Sequence, residues 1–476
     1  MDKNQLNSYN SDMDLMEKIT SLAKRRGFIY PGSEIYGGLA NTYDYGPLGV
    51  ELLRNIKNLW WDYFVTKRVD MYGLDTNILM SPKVWKASGH VENFAEVMVD
   101  CKECQLRTRA DHLIEDFFDQ KGEERKVEGL PLKKIVKIIS ESKIPCPKCG
   151  KFSWTEPRMF NNLFETHIGI VSGEKNTVFL RGEIAQGMFV NFKNVLDSLS
   201  PKLPFGLAQS GAAFRNEITL GKLTFRSLQF NLSELEYFFD PDSQKWEEVF
   251  EYWRDQMWKW TTNVLGISEK DLRWRAHTDR ERSHYSKKTE DIDYNFPWGF
   301  KELYGLAYRT DFDLKNHMEV SKVDLRYTDP VSGNKFIPHV IEPTFGMDRS
   351  LLACLFNGYH EEGVKNKKRV ILKLNPKVAP YKIAVFPLLA NKQELISKAR
   401  NIFENLEKNF NCTWDARGNI GKRYFSQDEI GTPWCVTVDF DTLKDNSVTI
   451  RDRDTTEQER ISIEKLQKYF EEKLKD

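Results

Sequence analysis

The sequence predicts an α+β fold: an antiparallel-sheet domain flanked by helices, a zinc-ribbon-like insertion within it, and a C-terminal three-layer α/β domain. Three observations point there. Strand-like runs from Leu207 to Phe239 and over residues 300–349 flank an aromatic helix pattern. Two Cys-x-x-Cys pairs bracket a charge-rich stretch. From Tyr381 onward strand and helix patterns alternate, as when helices pack on a sheet. At 476 residues the chain is too long for one core. The expected division is a first domain over residues 1–95 and 156–370, an insertion over 96–155, and a second domain over 377–476.

The elements follow in order. Leu15, Ile19 and Leu22 mark an amphipathic helix, and a Gly/Tyr-rich turn region precedes a second helix. That second helix sets Leu53, Ile56, Trp60 and Phe64 on one stripe. Residues 176–190 read as strand, and so do residues 207–239. In the latter run Gly221 permits a tight turn between Phe214-Arg215-Asn216-Glu217 and Phe225–Phe230. Trp246, Phe250, Trp253, Met257 and Trp260 fall three and four apart, which predicts a helix over Gln244–Leu265. The strands of 300–349 end at Arg349, and Ser350–Leu355 begins a helix. Between Lys365 and Lys382 seven basic residues occur with no acid; a solvated linker and an RNA-facing patch are both open readings. Beyond it come a helix at Asn391–Asn409, a loop with Gly418 and Gly421, and strands near Trp434–Phe440 and Ser447–Arg451. A terminal helix carries Ile463, Leu466, Phe470 and Leu474.

Composition narrows the function. Lys plus Arg and Asp plus Glu both number 70, which argues against a protein that coats nucleic acid non-specifically. No apolar run approaches the ~20 residues of a membrane span, and Met1–Gln5 lacks the core of a signal peptide. The expected location is cytoplasmic, with reduced cysteines. Cys101, Cys104, Cys146 and Cys149 then suit one tetrahedral zinc site, with Gly150 supplying a tight turn. The 41 residues between the pairs make it a clamp at the base of an insertion. Cys354 and Cys412 read as ordinary core residues.

Two segments carry the chemistry. On a strand, Arg215 and Glu217 share a face, and on the returning strand Arg226, Phe230 and Glu234 do so. Guanidinium forks suit phosphate oxygens, and an aromatic plate suits a stacked purine. In Glu342-Pro343-Thr344-Phe345-Gly346-Met347-Asp348-Arg349 the glycine admits close backbone approach, and the arginine stands at a strand–helix junction. Together they describe a nucleotide site without a glycine-rich phosphate loop.

These segments resemble motifs two and three of the class II aminoacyl-tRNA synthetases, and Asp44–Leu52 resembles the first motif. The whole set, from about Leu22 to Ile461, is similar to the homodimeric glycyl-tRNA synthetases. Its most specific stretches are Arg25–Phe28 through Tyr45–Pro47, Tyr308–Leu314, and Gln427–Pro433. The resemblance implies activation of glycine with ATP and Mg²⁺ to an adenylate, transfer to the 3' end of tRNA(Gly), and a dimer interface at the first motif. It implies Arg215 at the α-phosphate, Arg226 at the β/γ end, and Arg349 against the adenine and the terminal phosphate. Phe230 would stack on the purine, Glu217 would accept from its exocyclic amine, and Glu302 would hold Mg²⁺. Asn216, Phe225, Leu303, Gly346, Met347 and Asp348 complete the implied ATP site. Around glycine it implies Glu183, Glu234 and Glu342 on the ammonium, with Arg109, Phe230 and Thr344 beside them; Arg109 or another nearby cation would relieve the crowding of carboxylates. Residues after 377 resemble an anticodon-binding domain, with Arg417, Arg423 and Gln427 offered to RNA and Trp434 in the core.

The chain departs from the family pattern at Gly182, Ile184, Leu228, Tyr308, Phe425 and Ser426, where proline, threonine, arginine, asparagine and two arginines are expected. Leu228, on a ligand-facing side, would cost one polar contact. Two other readings stay open: a synthetase of the same subclass for another amino acid, and a non-catalytic nucleic-acid-binding relative.

Overall fold

The computed structural model describes residues 3–475 apart from 94, 124, 126, 128–129, 170–175, 218–221, 279–281, 284 and 365–366. Its centre is a seven-stranded sheet in the order Leu272–Ala276, Lys288–Phe296, Gly299–Thr310, His339–Gly346, Gln229–Phe239, Phe205–Phe214, Met71–Gly73. Only the last strand runs parallel to its neighbour. Side chains alternate along a strand, so Leu235, Tyr237 and Phe239 enter the main apolar core. Ile341 and Phe345 of the neighbouring strand join them there. The helices Pro47–Trp61, Trp246–Lys259 and Met347–Gly358 cover that face. The opposite face is apolar at one end, where Phe238 and Val340 meet the helix Ala185–Leu199, and polar at the other. That polar end is the candidate site.

Residues 185–190 are helix, where strand was expected. Ala185, Met188, Phe189, Phe192 and Val195 recur at helical spacing and bury in the second core, and the strand is confined to Asn176–Leu180. Thr219, Leu220 and Gly221 of the expected turn lie outside the described residues. The two strands around it are shorter than expected, ending at Phe214 and restarting at Gln229, with a single 3₁₀ turn at Leu223–Phe225. Arg215, Glu217 and Arg226 therefore stand on the loop ends and not on the strands.

The stripe of the second helix is filled within the chain: Leu53, Ile56, Trp60 and Phe64 are all buried in the main core. Exposed apolar residues near the first motif are instead Ile35, Tyr36, Leu39 and Val50. The cysteine-bearing segment opens with Ala95–Asp100, which pairs with Arg107–Arg109 on one side and Arg158–Asn161 on the other. Its helices Ala110–Asp119 and Leu132–Glu141 close a small core of their own.

The basic stretch is not a solvated linker. Lys365 lies outside the described residues, but Lys367–Leu372 pairs with Tyr359–Val364 as a hairpin. Arg369 is buried, and Lys382 donates to the carbonyls of Lys377 (2.7 Å) and Ala379 (2.8 Å). Beyond it lies a five-stranded sheet in the order Cys412–Trp414, Ile383–Pro387, Trp434–Val438, Ser447–Asp452, Gln458–Ser462. The helices Gln393–Leu406 and Leu466–Lys475 cover one face and Ile420–Ile430 the other, giving three layers. Buried ion pairs join the two sheets' domains. Asp428 accepts from Arg369 and Arg451, both at 2.8 Å, and Arg453 donates to the carbonyls of Leu374 and Gly431, each 2.8 Å away. Arg25 and Arg26, at the end of the helix Lys3–Arg26, both pair with Glu429.

Candidate active site

On the polar end of the central sheet lies a cleft with a cavity of about 100 Å³. Arg215, Glu217, Phe225, Arg226, Phe230, Glu302, Leu303, Gly346, Asp348 and Arg349 line one part of it, and Glu234 and Thr344 another. Register explains the second pair: Glu234 lies directly across from Thr344, so both side chains leave the same face. A register shift at Ile292/Asp293 makes Leu303 an extra residue, so that Glu302 falls opposite Asp293. Arg215 donates through Nε to the Gly182 carbonyl at 3.0 Å and sits 5.3 Å from the Phe230 ring centre. Arg349 lies 4.6 Å from the Phe225 ring centre and 3.1 Å from Glu302. That arginine holds the half-exposed Glu302 carboxyl below its ordinary range. Asp348 ties the three motifs together: Tyr45 donates to it, and so do the backbone and side-chain amides of Asn231.

Some expected residues stand elsewhere. Asn216 spends its backbone N–H on the Asn162 carbonyl (2.8 Å) and does not line the cleft. Met347 is buried in the main core. Arg109 pairs with Asp111 in the insertion, away from the cleft lining. Leu228 contributes its backbone, accepting from Arg215 N–H at 3.0 Å and donating to the Asn41 carbonyl at 2.9 Å; its side chain is not in the lining. Tyr308 stacks on Trp246 and hydrogen-bonds His339 at 2.6 Å, so it belongs to the core.

Glu183 and Glu342 form the floor behind Glu234 and Thr344, and a residue given no role by the sequence holds them there. Arg309, 1% exposed, forks onto Glu342 at 2.9 and 3.0 Å and onto Asp313 at 2.7 and 2.8 Å. Glu183 stands 3.9 Å from the same guanidinium. His90 Nε2 meets Glu183 at 2.9 Å, with Ser88 Oγ 2.8 Å from its other ring nitrogen. Gln186 donates to both Glu183 and Asp313 at 2.9 Å and accepts from His317 at 2.7 Å. Burial alone would raise the Glu183 carboxyl, but His90 and Arg309 outweigh it and hold the group below its ordinary range. Burial pushes Glu342 up to about 7 against the pull of Arg309. Glu234, which accepts from the Ile184 N–H at 3.1 Å, is raised by burial and by the neighbouring Glu342 and Glu183.

The four cysteine sulfurs of the insertion lie within 4.8 Å of one another. The two pairs sit in matching turns. Gln105 N–H donates to the Cys101 carbonyl and Gly150 N–H to the Cys146 carbonyl, each at 2.8 Å. Positive φ at Gln105 (58°) and Gly150 (71°) closes both turns. Cys354 is buried and Cys412 half-buried.

In the C-terminal domain Arg423 is buried and donates to the carbonyls of Pro387 and Leu388, and Gln427 is buried against Thr432. Neither faces solvent as expected, because the helix Ile420–Ile430 turns that side toward its own sheet. Arg417 is exposed beside Asp415, and Trp434 is in the core. Phe425 is exposed, and Ser426 accepts from Arg26 at 3.3 Å.

Comparison with known proteins gives consistent relationships. Residues 382–473 match a family model described as an anticodon binding domain. A glycine-tRNA ligase of Caldanaerobacter subterraneus subsp. tengcongensis is 52% identical over 460 residues, covering 97% of this chain and 98% of that one. One from Clostridium acetobutylicum is 49% identical over 466 residues, covering 98% and 100%. A crystal structure of a prolyl-tRNA synthetase from Cryptosporidium parvum, complexed with halofuginone and AMPPNP, is similar in fold, with a TM-score of 0.62 at 14% identity over 96% of this chain and 76% of that one. With half of its residues identical across nearly the full length of such relatives, the chain belongs to the glycine-tRNA ligase family.

Proposed function

We propose that this chain joins glycine to ATP as an adenylate and passes the glycyl group to the 3' end of tRNA(Gly). The observation that carries the amino-acid assignment is the acid-walled end of the cleft, where Glu234 and Thr344 face the space and Arg309 braces Glu342 and Glu183 behind them. Glycine offers only a carboxylate, an ammonium and a bare Cα. A pocket of carboxyls grips the ammonium, and the methyl-bearing Thr344 leaves little room at the Cα. The attacking carboxylate is already anionic, so the site's work is alignment and charge neutralisation rather than base catalysis. Arg215 would meet the α-phosphate, Arg226 and Arg349 the terminal phosphates, and Phe230 the purine face. Mg²⁺ would be held by Glu302, a hard oxygen ligand beside those arginines, and would screen the departing pyrophosphate.

We further infer a structural zinc ion on Cys101, Cys104, Cys146 and Cys149. The soft thiolate set and the paired turns suit a closed tetrahedral site, which supplies folding energy to the insertion. The insertion is best bounded at 95–161, with the anticodon-binding domain following the hairpin that ends at Leu372. A homodimer is proposed across the first motif, where Ile35 and Tyr36 stand 88% and 86% exposed. Charging of total tRNA with labelled glycine tests the overall reading; incorporation of glycine above that of alanine and serine is expected, and none would refute it.

A further inference from the structure

One buried acid near the site takes no part in the network above. Glu236 is completely buried, yet neither oxygen of its carboxyl has a hydrogen-bonding partner among the described residues. Register locates it. The pairs Glu234↔Thr344 and Tyr237↔Ile341 set Glu236 opposite Glu342, with Leu207 across the other edge. Glu234 and Glu236 are two apart on one strand, so they leave the same face in successive layers. Glu234 reaches the cleft; Glu236 lies one layer below it, beside the carboxyl that Arg309 forks.

We propose that Glu236 is a further positioning residue of the amino-acid site, a buried carboxyl that shares one proton with Glu342 and releases it when an ammonium group enters. The inference rests on the glycine reading of this cleft. Two carboxyls side by side, served by one guanidinium, do not both ionise readily. The Arg309 fork places the negative charge on Glu342, and Glu236, with no donor facing it, keeps the proton. The strong upward shift of Glu236, caused by burial and then by the neighbouring Glu342, agrees with that sharing. Around the pair, Asp313 bonds to Arg309, Glu183 is held low by His90 and Arg309, Tyr285 lies against the Arg309 guanidinium with its hydroxyl pushed up by burial, and Gln186 and Leu207 carry no charge; Glu234 is the one other carboxyl there that burial and its neighbours raise. Glu234, on the same strand, accepts the Ile184 N–H. An arriving ammonium adds one positive charge, one proton leaves to solvent past Glu342 and Glu234, and the pocket's net charge is unchanged. Glu236 is thus a positioning residue: it acts through Glu342 and does not touch the substrate.

The test is the pH dependence of the glycine KM in pyrophosphate exchange between about pH 6 and pH 8, with the ATP KM as internal reference. Because uptake requires proton loss, the wild-type glycine KM should fall as pH rises, by up to ~10-fold per unit on the acid side. In Glu236→Gln the carboxyl that holds the proton is gone and only Glu342 and Glu234 are left to titrate, so the glycine KM should change with pH clearly less than in the wild type. An equal slope in both proteins, or no slope in the wild type, overturns the proposal. Should Glu236→Gln fail to fold, calorimetry of glycine binding to the wild type in two buffers of different ionisation heat still decides. Release of close to one proton per glycine is expected; release of none overturns it. No exchange with glycine at all would overturn the glycine reading as well, whereas normal exchange without proton linkage sinks this inference alone.

Discussion

Arg215 and Arg309 do different work with the same side chain. Arg215 lines the cleft, and under the proposed function its replacement removes a charge-assisted phosphate contact made in the transition state. Arg215→Ala should lower kcat/KM for pyrophosphate exchange by ~2–4 kcal/mol, roughly 30- to 1000-fold, and leave the denaturation midpoint nearly unmoved. Arg309 is inside the fold, and Arg309→Leu would leave Glu342 and Asp313 without their cation and Glu183 with His90 alone. A loss of ~3–5 kcal/mol in urea unfolding is expected near neutral pH. The sign of its pH dependence follows from Glu183, whose carboxyl His90 and then Arg309 hold below the ordinary range. That stabilisation is present above the ordinary carboxyl value of ~4.3 and disappears as pH falls through the folded value, so the penalty of Arg309→Leu should shrink in acid. A penalty that grew in acid would contradict the assignment. Thr344→Gly should admit alanine, moving the glycine-to-alanine ratio by ~1–3 kcal/mol; an unchanged ratio would mean the wall is elsewhere. The cleft arginines were legible in the sequence because they sit in short local motifs. Arg309 and His90 were not, since their partners at 183, 313 and 342 are brought together only by the sheet and the helices behind it.

At the scale of elements, apolar patterning located six of the fourteen α-helices among the described residues, and the cores explain why: the stripe Leu53, Ile56, Trp60, Phe64 and the aromatic face of Trp246–Lys259 each bury one side. Residues 185–190 misled because a short apolar run fits a buried strand and a buried helix equally well. The edge strands Cys412–Trp414 and Gln458–Ser462 escaped notice; one is three residues long and the other is largely polar. The paired cysteine turns were legible from spacing alone. Purified protein should contain about one zinc per chain, and Cys104→Ser should lose it. Chelation should make residues 95–161 protease-sensitive and leave pyrophosphate exchange measurable, since the insertion has its own core. Full protease resistance after complete metal removal would remove the clamp from the account.

Over the whole molecule, the stretch Gln427–Pro433 turns out to be a joint. Asp428 is buried between Arg369 of the hairpin and Arg451 of the C-terminal sheet, so the two domains share a buried charge network rather than a flexible tether. Asp428→Asn leaves two buried guanidiniums without their shared counter-charge, and unfolding of the C-terminal domain should become easier by ~3–5 kcal/mol. A midpoint unchanged within error would show the joint to be incidental. Sequence reading left the basic run before this domain open between a linker and an RNA-facing patch because it could not see Asp428, which meets Arg369 from some sixty residues later in the chain. The central claim is that this cleft adenylates glycine, and amino-acid-dependent exchange of labelled pyrophosphate into ATP, run separately with all twenty amino acids, tests it most directly. Exchange with glycine well above every other amino acid is predicted; no exchange with any of them, or equal exchange with alanine or serine, would contradict it.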